Sequence, residues 1–532
     1  MRFSKRILFL SVFLGCFAVY LLTLAPTVYW DDSAELTTIA YTLGIAHPNG
    51  YPTYTLLGHL FTKIPLGTIG FRVNLMSALF AALTAAMLYL LLHEWTKNAS
   101  PGLLSAGIFA FSFVFWSQAV IAEVYTLFMF FIVTITYLIT IWKKTNKQKH
   151  LYLLGFVAGL SLTHHLMILF LIPAFLYLFI TKNNNEFFEF DKNILNKKLI
   201  IVIILLMIGL TPYLYLPIRS AQNPEIDWGN PETLENFITH VTAKTHRFRQ
   251  FEPDFDRIIK KITLAIVYLI LQFTITIFFS IVGVINFFKK KKSTLLFLTL
   301  MFLISFTLAI VLVVKREIAD IQIYFLPTYM VFSIFIGLGI DRTIRQYIKN
   351  RKKRVITVIA VLFFILILNY SLFNKTVDQS RNYKPKEYID YLFSNMEENS
   401  IFLANSDSEV FLSWYYQQVE GKRYDVVVIP RLLITYNHWQ NKAREKMPEI
   451  NFSAFKSEQY SELPISGEFL TFIDKYKLKY QQELHKQILL DRIINKFIED
   501  NKKQKPIYMT SKMDVYDIEK YNNQTILLKK FS

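Results

Sequence analysis

The chain carries two carboxylates at helical spacing directly after its first apolar segment. Asp32 and Glu35 are three positions apart, so in a helix their side chains fall on one face. Two carboxylates so placed could share a proton, and one of them could act as a general base. The same Asp-x-x-Glu pattern is typical of a helix N-cap with its reciprocal glutamate, which needs no catalytic role. The spacing alone leaves both interpretations open.

Other polar side chains lie within or next to apolar stretches, where burying a polar group costs free energy. His164 and His165 interrupt an apolar stretch, which favours either a role at a ligand head group or a hydrogen-bonded structural pair. Arg219 follows another apolar stretch, and its planar guanidinium suits phosphate oxygens, although arginines at this level often only anchor a helix. His47 begins the segment His47-Pro48-Asn49-Gly50, whose residues are typical of a turn. A role of His47 as a ligand is the second interpretation.

Composition places the chain in the membrane class. Of its 532 residues, 53% are hydrophobic and 16% aromatic, more than is usual in a soluble enzyme of this length. The formal net charge is +18, but the lysines and arginines form short clusters between apolar runs, which indicates membrane topology rather than nucleic-acid binding. The single cysteine, Cys16, excludes an intramolecular disulfide framework and any zinc site built from several thiolates.

Apolar runs of spanning length predict about 11 transmembrane helices. They lie at residues 7–25, 73–92, 103–117, 121–142, 151–180 (a hairpin of two helices), 198–217, 262–288, 293–314, 322–340 and 355–373. Because basic clusters mark cytoplasmic ends, the N-terminus is predicted to be cytoplasmic and the loops 26–72 and 218–261 to lie outside. These elements make residues 1–374 a membrane domain that brings the polar motifs to its outer face.

A second domain is predicted at residues 375–532, outside the cytoplasm. Buried strands at 401–404 and 425–429 flank a helix at 408–419, a β-α-β pattern, and segments 505–510 and 525–528 add further strands. The domain is therefore α/β. It contains no phosphate-cradling glycine loop, which argues against nucleotide-sugar or ATP binding there.

The motifs together resemble a known family. Asp32-Ser33-Ala34-Glu35 is similar to the Asp-Ser-Gly-Glu signature, and residues 46–58 to the His-Pro-Pro-Gly-Tyr-Pro block, of the protein O-mannosyltransferase-like family of GT-C membrane glycosyltransferases, bacterial relatives of the eukaryotic plexin-domain O-mannosyltransferase. Further matching segments lie at residues 122–125, 162–165, 215–220 and 227–231. Two positions depart from the pattern, because Ala34 replaces a glycine and Asn49 a proline.

The resemblance implies a GT-C-like fold and an enzyme that transfers a sugar, mannose in the family, from a polyprenyl-phosphate donor to a protein hydroxyl or a surface glycan. It implies a multi-pass protein of the inner (cytoplasmic) membrane. Asp32, Glu35, Glu123 and a histidine could form a metal site, but they are far apart in sequence and lack a diagnostic spacing, so we expect no required metal and no cofactor. Asp32 would be the catalytic base, with Glu35 as its partner. The donor phosphate would be bound by Arg219, His164, His165 and Arg316, and the wall of the substrate site formed by His47, Tyr51, Glu123, Tyr125 and Trp228.

A transporter or flippase of lipid-linked glycans is the alternative interpretation. It would also need many spans, a phosphate-binding arginine and polar groups within the membrane. Transporters usually place such groups in broken helices at the bilayer midplane, whereas here the motifs gather in two long outer loops. The location of the motifs therefore favours the enzyme.

Overall fold

The computed structural model describes residues 4–182, 187, 198–244, 255–312, 322–431, 437–455, 491, 493–510 and 528–531. The chain forms two compact units. The membrane unit comprises Met1–Tyr29 and Ile39–Asn382, and the C-terminal unit comprises Trp30–Thr38 and Tyr383–Ser532. The short segment with the acidic pair thus groups with the C-terminal unit. The predicted phosphate ligand Arg316 lies outside the described residues.

The first half of the helical part alternates long helices with short ones that carry the polar loops. Its helices are α1 Lys5–Leu22, α2 Asp32–Thr42, α3 Pro52–Thr62, α4 Ile69–Thr96, α5 Ala99–Ala110, α6 Phe113–Ala119, α7 Tyr125–Thr145, α8 Gln148–Leu162 and α9 Met167–Ile180.

The second half of the helical part continues to the end of the membrane unit. Its helices are α10 Lys198–Gly209, α11 Tyr215–Ser220, α12 Leu234–Val241, α13 Phe255–Phe273, α14 Phe279–Lys290, α15 Lys292–Leu312, α16 Leu326–Tyr347 and α17 Arg351–Val377.

Long apolar helices dominate the membrane unit. Within the described residues, eight helices are long and apolar enough to cross a membrane, and α5 with α6, bent by 70° at their junction, would make a ninth. The prediction of a polytopic helical membrane domain is confirmed. The other two of the predicted spans correspond to α8 and α9, which are shorter than an ordinary transmembrane helix.

The hairpin predicted at residues 151–180 is present, with its break at residues 163–166. At the break, His164 bonds the carbonyl of Val124, directly before α7 begins. At the other end, Lys143 in the last turn of α7 donates to the carbonyl of Leu178 near the end of α9, at 2.7 Å. Helices α8 and α9 therefore run up and back along α7.

One carboxylate joins three helices at the lysine-rich end of the bundle. Glu94, in the last turn of α4, pairs with Lys144 of α7 at 2.7 Å, with Lys97 at 3.1 Å and with Lys5 of α1. At the opposite end, the Asn74 side-chain amide donates to the carbonyls of Ala25 and Thr27, each at 2.9 Å. These contacts fix both ends of α1 against α4.

The C-terminal unit contains a small mixed sheet. Its strands are β1 Ile401–Ala404, β2 Val427–Pro430, β3 Ile507–Thr510 and β4 Leu528–Phe531, in the order β2-β1-β3-β4. Strand β1 is parallel to β2 and β3, and β4 is antiparallel to β3. Helices α18 Lys384–Ser394, α19 Asp407–Gln418 and α20 Asn437–Lys446 accompany the sheet. The predicted β-α-β pattern is confirmed, with β2 displaced toward the C-terminus.

The aromatic segment of α19 serves packing. Trp414, Tyr415 and Tyr416 are all buried, and the Trp414 indole stacks on Trp439 of α20 at 5.4 Å between ring centroids. The helix is capped by Ser406, whose hydroxyl accepts the backbone N–H of Glu409, whereas Asp407 is already its first residue.

Candidate functional site

The acidic pair stands at the very start of α2. Asp31, before it, has a left-handed backbone conformation (φ 51°), and its carbonyl accepts the N–H of Ala34 at 2.9 Å. Asp32 is therefore the first helical residue and not the residue that precedes the helix. The reciprocal N-cap interpretation requires the aspartate in that preceding position. Ala34 lies within the first turn, where an ordinary helical conformation suits alanine, so its replacement of a glycine introduces no strain.

The two carboxylates lie side by side, as their spacing predicts. A carboxylate oxygen of Asp32 is within 4.8 Å of one of Glu35. Glu35 is fully buried, whereas Asp32 is half-buried. Asp32 is consequently the member of the pair that a substrate can reach, and Glu35 is placed to shape its surroundings.

In the membrane unit, a group of aromatic and imidazole rings is built from four separate segments of the chain. The Tyr51 hydroxyl shares a hydrogen bond with Nε2 of His47 at 3.3 Å. The His47 ring contacts Trp228 with 6.4 Å between centroids, and the Tyr51 ring contacts His165 at 5.8 Å. The Tyr125 ring also lies 5.8 Å from the His165 ring. The structure thus brings together five of the predicted site residues, which we call the aromatic group.

His165 has a defined protonation pattern. Its Nδ1 accepts the backbone N–H of Met167 at 3.2 Å. A neutral imidazole that accepts at Nδ1 carries its proton on Nε2. Because the ring also packs against Phe128 at 5.2 Å, its orientation is fixed. His165 therefore presents one N–H donor from a rigid position.

His164 faces a different environment from its neighbour. Its Nε2 donates to the Val124 carbonyl at 2.8 Å, and its ring stacks on Tyr54 with 6.2 Å between centroids. Beside it, Thr163 in the break between α8 and α9 shares a hydroxyl hydrogen bond with Thr53 of α3 at 2.5 Å. These contacts favour the structural interpretation for His164 and leave the ligand role to His165.

Arg219 binds backbone carbonyls. Its Nε donates to the carbonyl of Leu43 at 2.7 Å and its Nη2 to that of Thr42 at 3.2 Å, while Nη1 reaches the side chain of Gln222 at 2.6 Å. The guanidinium thereby satisfies the open carbonyls at the C-terminal end of α2, an interaction that also suits the helix dipole. Its predicted role at a phosphate stays a prediction.

The two long loops of the membrane unit are joined by backbone pairing. Ile45 and Asp227 form a parallel bridge, and the N–H of Ile45 donates to the Ile226 carbonyl at 2.8 Å. The buried Asp227 carboxylate accepts the hydroxyl of Ser220 at 2.9 Å. Sequence reasoning gave Asp227 no role, although its place beside Trp228 in the matching segment was a signal. This bridge explains how Trp228 reaches His47.

Glu123 is half-buried at the start of the segment that leads into α7. Its backbone N–H is held by the Ser77 hydroxyl at 3.2 Å. The anchored backbone fixes the level of Glu123 relative to Tyr125, the member of the aromatic group on α7. Its predicted role as a wall of the sugar site stays a prediction.

Comparison with known proteins gives this geometry a context. A family model described as the protein O-mannosyl-transferase TMEM260 N-terminal domain matches residues 32–187. The chain is 25% identical over 502 residues to protein O-mannosyl-transferase TMEM260 of Mus musculus, covering 90% of this chain and 69% of that protein. It is 26% identical over 477 residues to protein O-mannosyl-transferase tmem260 of Dictyostelium discoideum, covering 80% of this chain and 57% of that protein.

A solved structure supplies the fold. The crystal structure of ArnT from Cupriavidus metallidurans bound to undecaprenyl phosphate superposes with a TM-score of 0.53 at 11% identity, over 83% of this chain and 88% of that one. The chain is a membrane glycosyltransferase with the GT-C fold. The predicted enzyme class and the resemblance that led to it are confirmed, and the transporter interpretation is not favoured.

Proposed function

We propose that this glycosyltransferase transfers a mannosyl residue from a polyprenyl-phosphate donor to a protein hydroxyl group. The names of the mouse and Dictyostelium relatives support mannose and a protein acceptor, and the lipid bound to ArnT supports a polyprenyl-phosphate carrier. The chain spans 57% of the Dictyostelium relative, so the relatives' full activity is a proposal for this protein.

One observation carries the chemical assignment. The accessible Asp32 and the buried Glu35 lie side by side at the start of α2. In the proposed reaction, Asp32 accepts the proton of the acceptor hydroxyl as its oxygen bonds to the anomeric carbon. The bond from that carbon to the phosphate oxygen breaks, and polyprenyl phosphate leaves with the electron pair. A single displacement of this kind inverts the anomeric configuration.

The aromatic group suits the donor side of the reaction. Tyrosine and tryptophan rings offer flat apolar surfaces with polar edges, which fit a sugar ring, and the fixed N–H of His165 suits a phosphate or sugar oxygen. Arg219 supplies positive charge on the same unit. No resident metal is part of the proposal, and Arg316 stays a candidate phosphate ligand.

The distribution of lysines supports the proposed orientation. Lys5, Lys97 and Lys144 meet at one end of the bundle, and such clusters mark the cytoplasmic face. The opposite end carries Ala25, Asn74 and Thr27, at the start of the loop that leads to Asp32. We therefore propose that the reaction takes place on the extracytoplasmic side of the cytoplasmic membrane.

A transfer assay tests the assignment. Purified full-length protein would receive radiolabelled polyprenyl-phosphate mannose and total periplasmic protein, with Asp32→Asn and Glu35→Gln compared with the exposed control Glu232→Gln. We expect Asp32→Asn to lose at least about a hundredfold in kcat, since general-base catalysis contributes that much, and the control to match the wild type. Unchanged transfer by both variants would exclude the base assignment, and a wild type without activity would contradict the proposed function.

A further inference from the structure

The segment that carries the acidic pair is part of the C-terminal unit. Residues Trp30–Thr38 group with Tyr383–Ser532. The sequence placed this segment in a loop of the membrane domain and gave the C-terminal domain no defined role. The folded chain therefore connects the proposed base to a domain almost four hundred residues later, with Ser408 and Asp31 separated by 377 positions.

Two side chains of the domain hold the residues directly before Asp32. The Ser408 hydroxyl, on α19, donates a hydrogen bond to the carboxylate of Asp31. The Tyr388 ring, on α18, meets the Trp30 indole edge to face with 5.5 Å between centroids. All four side chains are buried or half-buried. These contacts hold Trp30 and Asp31, the two residues directly before α2.

One buried carboxylate fixes the Tyr388 side chain and the helical turn that carries Ser408. Glu409, next to Ser408, accepts the Tyr388 hydroxyl at 2.9 Å and the Thr510 hydroxyl of β3 at 2.6 Å on one oxygen. Its other oxygen accepts the backbone N–H of Asn405, directly after β1, at 2.7 Å. The network joins α18 and α19 to the ends of β1 and β3. The contacts of Tyr388 and Ser408 with Trp30 and Asp31 are therefore held rigidly.

We propose that Ser408 and Tyr388 are positioning residues, which orient the Asp32 carboxylate through Asp31 and Trp30. Asp31 has a left-handed backbone conformation, which costs about 1 kcal/mol for a residue other than glycine and needs an external contact to hold it. The Ser408 bond supplies that contact. The Asp31 carbonyl also accepts the first hydrogen bond of α2. The orientation of Asp31 therefore sets the direction of α2 and of the Asp32 side chain.

The chemistry requires such a constraint. A general base must lie within hydrogen-bonding distance of the acceptor hydroxyl, and a misplacement of about 1 Å can cost roughly a hundredfold in rate. The segment Ser406–Glu409, at the start of α19, is thereby assigned a role in holding the base in position. This inference rests on the proposed function of Asp32.

Matched variants of the full-length protein test the inference in the same transfer assay. Ser408→Ala removes the hydrogen bond to Asp31, and Asp31→Ala removes its acceptor. Asp31→Asn keeps an oxygen that can accept from Ser408. The control is Ser413→Ala, on the same helix. Within the described residues, the buried Ser413 hydroxyl bonds only the Glu409 carbonyl one turn before it, at 2.6 Å.

If Ser408 positions the base through Asp31, the variants should differ in kcat in a specific way. We expect kcat to fall roughly ten- to a hundredfold in Ser408→Ala and Asp31→Ala with the donor KM unchanged, and Asp31→Asn and Ser413→Ala to stay near the wild type. The double variant Ser408→Ala/Asp31→Ala should fall no further than either single variant, since both remove the same bond. Tyr388→Phe, which keeps the ring against Trp30, should lose less than Tyr388→Leu.

Several results would overturn the inference. An active Ser408→Ala enzyme with wild-type kcat would do so, as would additive losses in the double variant or a loss that appears only in KM. If Ser408→Ala fails to fold, the Asp31→Ala and Asp31→Asn pair decides the question, since equal kcat values in that pair contradict positioning. A wild type without transfer activity would contradict the proposed function instead.

Discussion

The His164 imidazole donates a hydrogen bond from Nε2 to the carbonyl of Val124, at 2.8 Å, while the next residue turns into the aromatic group. Adjacent histidines with separate partners predict separate effects of mutation. His164 joins the break between α8 and α9 to the start of α7, whereas His165 presents its donor to the neighbouring rings.

We expect His164→Phe to lower the unfolding free energy by about 1–3 kcal/mol, because it leaves a buried carbonyl without its donor. His164→Gln keeps an amide donor and should recover part of the loss. Thermal unfolding in detergent measures the difference, with the partly exposed His150→Gln on α8 as the control. Equal melting temperatures for His164→Phe and wild type would contradict the structural role.

His165→Phe should act on donor binding. The phenyl ring keeps the packing against Tyr51 and Phe128 but removes the Nε2 donor, so we expect the donor KM to rise roughly tenfold, the equivalent of one hydrogen bond. The variant also removes the acceptor of the part-buried Met167 N–H, so we expect a fall in melting temperature that is smaller than in His164→Phe. Steady-state kinetics with varied donor concentration checks the prediction, and an unchanged KM would remove His165 from the donor site.

Arg219→Lys separates the two roles of this arginine. Lysine keeps the charge but lacks the planar fork that bonds the carbonyls of Leu43 and Thr42, so we expect a loss of about 1–2 kcal/mol in stability. If Arg219 also contacts the donor phosphate, as its sequence context predicts, the donor KM will rise in the same variant. An unaltered KM would restrict Arg219 to holding the end of α2.

Glu94→Gln should loosen the lysine-rich end of the bundle. The variant removes the partner of Lys5, Lys97 and Lys144, whose side chains are 33–59% exposed and therefore partly screened by water. Because of this screening, we expect a loss of about 1 kcal/mol, smaller at high salt. Thermal unfolding at two salt concentrations, with Glu232→Gln as the control, tests the expectation; identical curves would contradict it.

The stability of the C-terminal unit should depend on pH through Glu409. Burial raises the pKa of this carboxyl above its ordinary value of 4.5. The folded state therefore holds the proton more tightly than the unfolded state, and the unfolding free energy falls as pH rises from about 4.5 to the raised pKa. Unfolding of full-length wild type and Glu409→Gln over this range tests the sign, since the glutamine variant should lack this component of the slope.

The sequence predicted the elements of this fold because their signals are local. Apolar runs give the spans, and strand β1 was predicted at its observed bounds, because four consecutive buried residues between polar segments have few other interpretations. The spacing of Asp32 and Glu35 likewise placed both on one helical face. The break at residues 163–166 followed from two polar residues inside an apolar stretch.

The contacts that give these residues their roles could not be predicted in the same way. The carbonyls that Arg219 binds lie 176 and 177 positions earlier, and Ser408 lies 377 positions from Asp31. Such partners leave no pattern in a single sequence, because any serine or arginine at the right place would serve. The domain boundary drawn from hydropathy also could not show that the acidic segment folds with the C-terminal unit.

The contacts at the two ends of α1 set an order of events during synthesis. Lys5 pairs with Glu94, which is synthesised 89 residues later. The Tyr20 hydroxyl donates to the carbonyl of Ala110, which is synthesised 90 residues later. Helix α1 leaves the ribosome before Glu94 and Ala110 are synthesised. It must therefore enter the lipid as a single helix, without these contacts. Most of α1 is apolar and stays accessible even in the finished bundle, where only 11% of its residues are buried, so the helix is suited to lipid on its own. Helix α1 thus docks onto neighbours that the ribosome makes after it.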